Sequence, residues 1–513
     1  MLTACHSIKP DSAGQLGWLI LLISLIISDA FANGWEHTSI DFEVLVKALN
    51  DPNPNVRMRA AESIGYRQQE GAIDALLARL EKPESVARVR QHIFSAIGMI
   101  GDSAALDAVH ACLTNETEVA VRAQCAVALG NIDNSRAEQL ALQAAQDDNI
   151  HVRRQAINSL GSFSGEESIK TLIGFAGETD ESIRFPALLS LGRSGSTAAT
   201  NVLVGSLNQA ESRKEMLVAL QALTLLANPD TIDSIQKVYE NSDDETTKQY
   251  ALLAMASTQA GKSEVYFLEA LASEDFSSQI LGLAILRNYG DSSQVEAIVE
   301  HAVVETNDLF ALEDAELLQR PALTIARLQL INEYLKTVIR LDPEAGGALY
   351  FGAAAEKSVP RTSSPALKIA QGFYEARWQS IYGLGYVGDA AAAEQVRAAL
   401  RDPDARIRAV ATRSLGVMND RQNIDLIRQM LVDDSAEVRW TAARVLGRLK
   451  ATEAVDGLIG SLTDTNAQVR LESALALGYL KAQESRATLA QLAENDADSR
   501  VSEAAVYALS LLE

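Results

Sequence analysis

The sequence predicts an all-α protein, a right-handed superhelix (solenoid) of about a dozen two-helix repeats. Three observations predict this fold class. A phrase containing Arg and Gly returns along the chain, its apolar residues have helical spacing, and the chain, at 513 residues, is too long for one ordinary globular core. The composition agrees, because 47% hydrophobic and only 5% aromatic residues suit closely packed helices.

The repeated phrase places a glycine eight residues after an arginine, as in VAVRAQCAVALGN and AEVRWTAARVLGR. Within each half of the chain the arginines recur every 31 to 33 residues. The residue before the arginine and the seventh after it are almost always Val, Ile or Leu, which gives one apolar stripe per helix. The arginines are Arg57, Arg90, Arg122, Arg153, Arg184, Arg377, Arg408, Arg439 and Arg470.

A second apolar stretch, such as AIDALLARL, precedes each phrase, so each repeat is a pair of helices joined by a short turn. Repeats of this kind are predicted over residues 38–303, where 205–303 lack the Arg and Gly, and over 373–513, which end in a terminal cap. Residues 304–372 break the period. A long helical stretch there runs into a sequence rich in Gly, Pro and Ser, which we interpret as an insertion that forms a loop or lid.

The repeat resembles the HEAT repeat in the short form named after phycobilin lyases: an aspartate, a Val-Arg pair and an Ala-rich helix that ends in Leu-Gly. The resemblance implies an armadillo-type superhelix whose second helices line the concave side. It also implies an inter-repeat polar ladder, made by the nine arginines and by aspartates six residues before several of them. Regular paired charges along a stack suit such a structural role. The aspartates are Asp51, Asp147, Asp402, Asp433 and Asp464.

Two enzyme families share this repeat, and each makes a demand on the sequence. Deoxyhypusine hydroxylase implies His-Glu pairs just after the repeated Val-Arg, whereas here His92 and Glu472 stand alone in distant repeats. Bilin lyases act in the cytosol, and this chain is expected to be exported. His92 and His110 fall in one repeat and are conceivable as a metal pair, but ordinary histidines are the favoured interpretation.

We therefore expect no catalytic residue, no metal site and no cofactor, since phosphate loops, nucleophile elbows and zinc-type cysteine spacings are also missing from the sequence. The favoured function is a protein-binding scaffold or adaptor. The alternative is an enzyme or enzyme accessory that uses the insertion as a lid.

The amino terminus predicts export. An apolar run of 12 residues, LGWLILLISLII, begins at Leu16 and is too short to span a bilayer comfortably. The small residues of AFA, ending at Ala32, suit signal peptidase, so 1–32 is predicted to be a signal peptide and Asn33 the first residue of a periplasmic or extracellular protein. An uncleaved anchor is the alternative, and only then is a membrane expected as a partner.

Two cysteines remain in the predicted mature chain, Cys112 and Cys125, on the two helices of one repeat. An oxidising compartment would permit a disulfide. Cys125, however, occupies a packing position that other repeats fill with Ala, Ile or Ser. Two small core residues are therefore the favoured interpretation.

The charge of the chain restricts its partners. With 68 acidic and 45 basic residues, the formal net charge is −23, and such a molecule repels the phosphates of nucleic acids. No nucleic-acid partner is expected. A protein or peptide partner is expected instead.

A candidate binding row follows from the helical period. If the apolar stripe points into the stack, the residues one, five and nine after each repeated arginine point away from it. In the second half of the chain these positions hold aromatic and Arg side chains, the residues of which binding hot spots are made, and their positive charge favours an acidic partner. The alternative is that they pack under the insertion or against one another. The binding row consists of Trp378, Tyr382, Tyr386, Arg413, Trp440, Arg444, Arg448 and Tyr479.

Overall fold

The described residues form helices joined by short turns. The computed structural model describes residues 42–258, 264–355, 357, 359, 363–419 and 421–512. The predicted signal segment, residues 1–32, and its cleavage point lie outside these ranges. The chain divides into two units, residues 1–260 and 261–513, which are taken in turn.

Unit 1 contains fourteen described α-helices, which alternate between the two helices of successive repeats. Their bounds are Phe42–Ala48 (α1), Pro54–Arg67 (α2), Ala72–Leu80 (α3), Ala87–Ile100 (α4), Leu106–Asn115 (α5), Val119–Leu129 (α6), Ser135–Ala144 (α7), Ile150–Leu160 (α8), Glu166–Ala176 (α9), Glu181–Arg193 (α10), Thr200–Asn208 (α11), Arg213–Leu226 (α12), Ile232–Asn241 (α13) and Glu245–Ser257 (α14).

Unit 2 has the same alternation except near its beginning, where two helices are unusually long. Its described helices are Glu264–Leu271 (α15), Phe276–Tyr289 (α16), Val295–Phe310 (α17), Asp314–Gln319 (α18), Pro321–Leu341 (α19), Gly347–Ala353 (α20), Ser364–Val387 (α21), Ala390–Ala399 (α22), Ala405–Val417 (α23), Ile424–Gln429 (α24), Ala436–Arg448 (α25), Val455–Ser461 (α26), Ala467–Tyr479 (α27), Arg486–Asn495 (α28) and Ser499–Leu511 (α29).

Polar residues in the turns start these helices. The side chains of Asp404 and Asn466 accept hydrogen bonds from the backbone N–H two residues further on, which satisfies donors that a helix leaves unpaired at its start. Short 3₁₀ turns lead into several first helices of a repeat. They comprise Ser103–Ala105, Thr197–Ala199, Pro229–Thr231, Ser292–Gln294, Arg421–Asn423, Thr452–Ala454 and Gln483–Ser485, while one further 3₁₀ turn, Met430–Val432, directly follows α24.

In each unit the second helices of successive repeats pack side by side and form one row. In unit 1 the row is α2, α4, α6, α8, α10, α12 and α14, and in unit 2 it is α16, α19, α21, α23, α25, α27 and α29. The predicted apolar stripe faces this stack: Val438 and Leu446, for example, are fully buried. One member, Val56 in the first repeat, is 36% exposed. The predicted all-α superhelical fold is thus confirmed.

The repeated glycine is required where neighbouring helices of the row approach most closely. A Cβ atom added to Gly447 of α25 would lie 2.9 Å from both Cα and Cβ of Ala476 in α27. At Gly98 of α4, an added Cβ would lie 3.0 Å from Cα of Ala128 in α6. A side chain at these positions would push two helices apart, so the glycine sets the spacing of the stack.

The segment 304–372 contributes a described helix to the stack. Its long helix, α19, packs between α16 and α21. Thr337 Oγ1 donates to the carbonyl of Leu283 in α16 at 3.3 Å, and Asn332 Nδ2 donates to the carbonyl of Gly372 in α21 at 3.1 Å. The interpretation of the helical part of this segment as a lid is wrong, because α19 has apolar residues for two neighbours and buries them in the row.

Cys112 of α5 and Cys125 of α6 form a disulfide. The interpretation of the pair as small core residues is therefore wrong in one respect: both side chains are buried, but they are bonded. The turn at 116–118 brings the two antiparallel helices together, and the Cα atoms lie 6.4 Å apart, a distance that a disulfide can span. Among the described helices, none is both long enough and apolar enough to cross a membrane.

Candidate binding surface

The repeated arginines join each repeat to the next. Arg439 Nη1 donates to the carbonyl of Asp433, six residues earlier in the turn of its own repeat, at 2.9 Å. Its Nε and Nη2 donate to both carboxylate oxygens of Asp464, in the following turn, at 2.7 and 2.8 Å. The side chain is only 15% exposed. Each arginine of this kind therefore fastens two consecutive turns with one guanidinium.

The aspartate six residues before an arginine thus has two roles. Its backbone carbonyl accepts from its own arginine, while its carboxylate accepts from the arginine of the preceding repeat, as Asp433 does from Arg408. Glu84 and Glu116 hold the same position before Arg90 and Arg122 and make the same two kinds of bond. These glutamates were not part of the sequence prediction, although their spacing is the same.

The ladder is altered at two places. Arg377 donates to Asp402, but it lies in the middle of α21, where no turn precedes it, and its Nε atom is buried without a hydrogen-bond partner. Arg153 donates to the carbonyls of Asp147 and Asp148. The remaining arginines of the ladder each pair with a carboxylate of the next repeat: Arg57 with Glu84, Arg90 with Glu116, Arg122 with Asp147, Arg184 with Glu215 and Arg470 with Asp496.

The binding row lies on the opposite side of the same helices, on α21, α23, α25 and α27. None of its eight residues is fully buried, and four of them are exposed: Arg413, Arg444, Arg448 and Tyr479. The period therefore places them away from the apolar stripe, because steps of four residues keep one side of a helix.

Three aromatic rings follow one another along α21. The rings of Trp378 and Tyr382 stack with centroids 5.9 Å apart, and Tyr382 meets Tyr386 edge to face at 5.3 Å. The hydroxyls of Tyr382 and Tyr386 form a hydrogen bond of 2.7 Å. From the next helix of the row, the Arg413 guanidinium lies over the Tyr382 ring, 4.8 Å from its centroid, in a cation–π arrangement.

The titration of Tyr386 reflects this environment. Its hydrogen bond with Tyr382 and then burial raise its pKa above the ordinary value, while the positive charges of Arg413 and Arg448 act in the opposite direction. Tyr386 is therefore a neutral phenol at physiological pH.

Arg444 is held in place by a carboxylate. Its guanidinium lies 4.8 Å from the centroid of Trp440, one turn earlier in α25, and its Nη2 and Nε donate to Glu472 of α27 at 2.5 and 3.1 Å. Glu472 is only 6% exposed and also accepts from Gln468 at 2.9 Å. The hydrogen bond with Glu472 raises the pKa of Arg444. Glu472 thus neutralises the charge of Arg444 and is not a metal ligand of the kind that its place after the repeated Val-Arg would suggest.

Tyr479 closes the row towards the end of the chain. It is 54% exposed, and its ring meets that of Tyr507 in α29 edge to face, with centroids 6.4 Å apart. Among the described residues, no group of three or more His, Cys, Asp or Glu side chains is placed to hold a metal ion. The chemistry available on this surface is stacking on aromatic rings and hydrogen bonding from guanidinium and phenol groups.

The family of the chain follows from a match to the family model of HEAT repeats. The model matches residues 42–130, 110–181, 139–216, 364–438 and 424–510, which together are more than half of the chain. The protein belongs to the HEAT-repeat family, and the resemblance in the sequence is confirmed. No curated protein matches the chain.

Solved structures with the same fold include Kap121p. The karyopherin Kap121p bound to the SUMO protease Ulp1p has a TM-score of 0.54 at 13% identity, over 92% of this chain and 59% of that one. A mutant of Kap121p has a TM-score of 0.52 at 13% identity, over 92% and 62%. The chain therefore spans about three fifths of Kap121p, and the likeness concerns the fold.

A phycocyanin lyase is also similar. The complex of CpcE and CpcF of phycocyanin lyase from Nostoc sp. PCC7120 matches with a TM-score of 0.34 at 17% identity, over 50% of this chain and 97% of that one.

Proposed function

We propose that this protein is an exported scaffold that binds a protein or peptide partner through the binding row of unit 2. One observation carries the proposal: aromatic and Arg side chains remain partly or fully exposed in one row across four adjacent helices, in a chain with only 5% aromatic residues. Large, rigid side chains of these types contribute most of the binding energy at protein interfaces. The proposal is of a binding protein and not of an enzyme.

Export is supported by two independent features. The sequence at 16–32 has the apolar run and small residues of a signal peptide, and the Cys112–Cys125 disulfide suits an oxidising compartment. The test is amino-terminal sequencing of the protein recovered from outside the cytoplasm, which we expect to begin at Asn33. A cytosolic location would contradict the proposal, whereas retention of residues 1–32 would indicate an uncleaved anchor.

The binding test compares two tyrosines that share one register. Tyr66 and Tyr479 both stand nine residues after a repeated arginine and are 70% and 54% exposed, but Tyr66 belongs to unit 1 and lies outside the binding row. Affinity capture with the mature protein should identify a partner. We expect Tyr479→Ala or Trp440→Ala to weaken its binding by more than about 2 kcal/mol, as for hot-spot residues, and Tyr66→Ala to leave it unchanged.

Arg444 is unsuitable for this test, because its removal would leave the buried carboxylate of Glu472 with Gln468 as its remaining side-chain partner. Circular dichroism of each variant should show unchanged helical content. Equal binding by the wild type, Tyr479→Ala and Trp440→Ala would refute the binding row as the partner site.

A further inference from the structure

The three arginines of the binding row differ in what they have available for a partner. Arg444 donates two hydrogen bonds to Glu472, so its charge is already neutralised. Within the part of the chain that the structure describes, the guanidiniums of Arg413 and Arg448 have no carboxylate partner, and both side chains are exposed.

These two guanidiniums come from adjacent helices of the row, α23 and α25, and Arg448 holds on α25 the register position that Tyr386 holds on α21. Arg413 lies over the Tyr382 ring, and the charges of Arg413 and Arg448 both act on the Tyr386 hydroxyl. An anion bound between these two cations would be attracted by both. The Tyr382 and Tyr386 hydroxyls share one hydrogen bond, so one of the two phenolic hydrogens remains free to donate to that anion.

The helix between α21 and α25 has smaller side chains at two positions of the row. One and nine residues after Arg408, the helix between α21 and α25 has Ala409 and Val417 in place of the aromatic and Arg side chains on either side. Ala409 is buried and Val417 half-buried. At these two positions α23 therefore has smaller side chains than its neighbours α21 and α25. Trp440 holds the same position on α25 that Ala409 holds on α23.

We infer that Arg413, Arg448 and the Tyr382–Tyr386 hydroxyl pair form a subsite for the carboxylate of an acidic side chain in a peptide segment of the partner. The inference rests on the proposed function. Guanidinium groups bind carboxylates in paired, charge-assisted hydrogen bonds, and the Trp440 ring offers an apolar contact for the residue next to the acidic one. A peptide with a single acidic side chain is favoured over a nucleic acid, because a nucleic acid has a negative phosphate at every nucleotide and a chain with a net charge of −23 repels such a polyanion.

The experiment selects peptides from a random phage-displayed library on the purified mature protein. We expect the enriched peptides to contain Asp or Glu beside an apolar residue, and their amide versions, with Asn or Gln, to bind about tenfold more weakly or worse. The double variant Arg413→Gln and Arg448→Gln should lose affinity for the acidic peptides by a similar factor. The control is Arg401→Gln, which removes an exposed cation of the same unit outside the row and should change nothing.

The outcomes separate the inference from the function on which it rests. Enriched peptides without acidic residues, or equal binding by the double variant, would overturn the carboxylate subsite. If Trp440→Ala still weakens the binding of the selected peptides, the binding row is supported even though the carboxylate subsite is not. If the selected peptides bind Trp440→Ala and the wild type with equal affinity, the binding row is refuted as the partner site. Phosphoserine peptides or single-stranded oligonucleotides that bind more tightly than acidic peptides, with the same dependence on Arg413 and Arg448, would also refute the carboxylate assignment.

Discussion

Replacement of Arg439 by alanine should loosen the interface between α25 and α27 without unfolding the chain. The substitution removes two hydrogen bonds to the Asp464 carboxylate and two to backbone carbonyls of the preceding turn. Asp464 keeps one bond, from the backbone N–H of Asn466 at 2.8 Å, and is 12% exposed. Without Arg439, the largely buried carboxylate keeps only one of its hydrogen-bond donors. We therefore expect the free energy of unfolding to fall by about 1–3 kcal/mol.

The matched control is Arg421→Ala, because Arg421 also pairs with a carboxylate of the next repeat. Its bond to Glu453 measures 2.8 Å, but the two side chains are 58% and 45% exposed. Exposed ion pairs contribute little, so this variant should lose no more than about 0.5 kcal/mol.

Urea unfolding followed by circular dichroism measures both costs, and hydrogen exchange locates them. Since each repeat contacts mainly its neighbours, faster exchange in Arg439→Ala should be confined to the helices around residues 436–479. An unfolding midpoint and exchange rates equal to those of the wild type would show that the ladder arginine does not stabilise the stack. Equal losses in the two variants would show that burial of the pair is irrelevant.

Three further predictions follow from the same stack. Gly447→Ala should destabilise the protein by about 1–3 kcal/mol because its Cβ would meet the backbone of α27, whereas Gly460→Ala, with nothing within 4 Å, should be neutral or stabilising by up to about 1 kcal/mol in the same urea titration. The hydrogen bond from Arg439 lowers the pKa of Asp464. The ionised Asp464 therefore contributes fully to the free energy of unfolding above the ordinary carboxyl pKa, and this contribution is lost as the pH falls below about 4 and through the lowered pKa. When the free energy of unfolding is measured as a function of pH, Asp464→Asn should therefore be less stable than the wild type at pH 7 and should lose less stability below pH 4. A loss of stability below pH 4 equal to that of the wild type would contradict this. Finally, Cys112 and Cys125 should resist alkylation until they are reduced, and reduction should cost about 3 kcal/mol for a loop of this length in the chain-entropy account; immediate labelling would contradict the disulfide.

Much of the fold could be predicted from the sequence because its determinants are local and repeated. The arginine and the glycine recur at a fixed spacing, and each makes the same kind of contact in successive repeats, as Gly98 and Gly447 show. The partner of each arginine was harder to predict. Asp433 precedes Arg439 by six residues and offers it a carbonyl, but its carboxylate serves Arg408 in the previous repeat, and only the stacked geometry shows that exchange.

The segment 304–372 could not be placed from the sequence for a different reason. Its position in the row is fixed by irregular contacts, such as Asn332 with Gly372 and Gln379 with Asn332, which have no counterpart in other repeats. A period gives no information about residues that break it. The same limit applied to Cys112 and Cys125, because whether two helices bring their sulfurs together depends on one particular turn and not on the repeat.

The candidate site shows how such a stack can acquire specificity. The ladder arginine fixes the turns and the glycine fixes the distance between helices, so both are tied to packing in the repeats that have them. The positions one, five and nine residues after the arginine face away from those contacts and are free to differ from repeat to repeat. Tyr382, Arg413 and Trp440 come from three adjacent helices, and what they share is their place outside the packing pattern. Recognition in this protein is therefore expected where the repeats vary, on a scaffold that the invariant residues hold at fixed spacing.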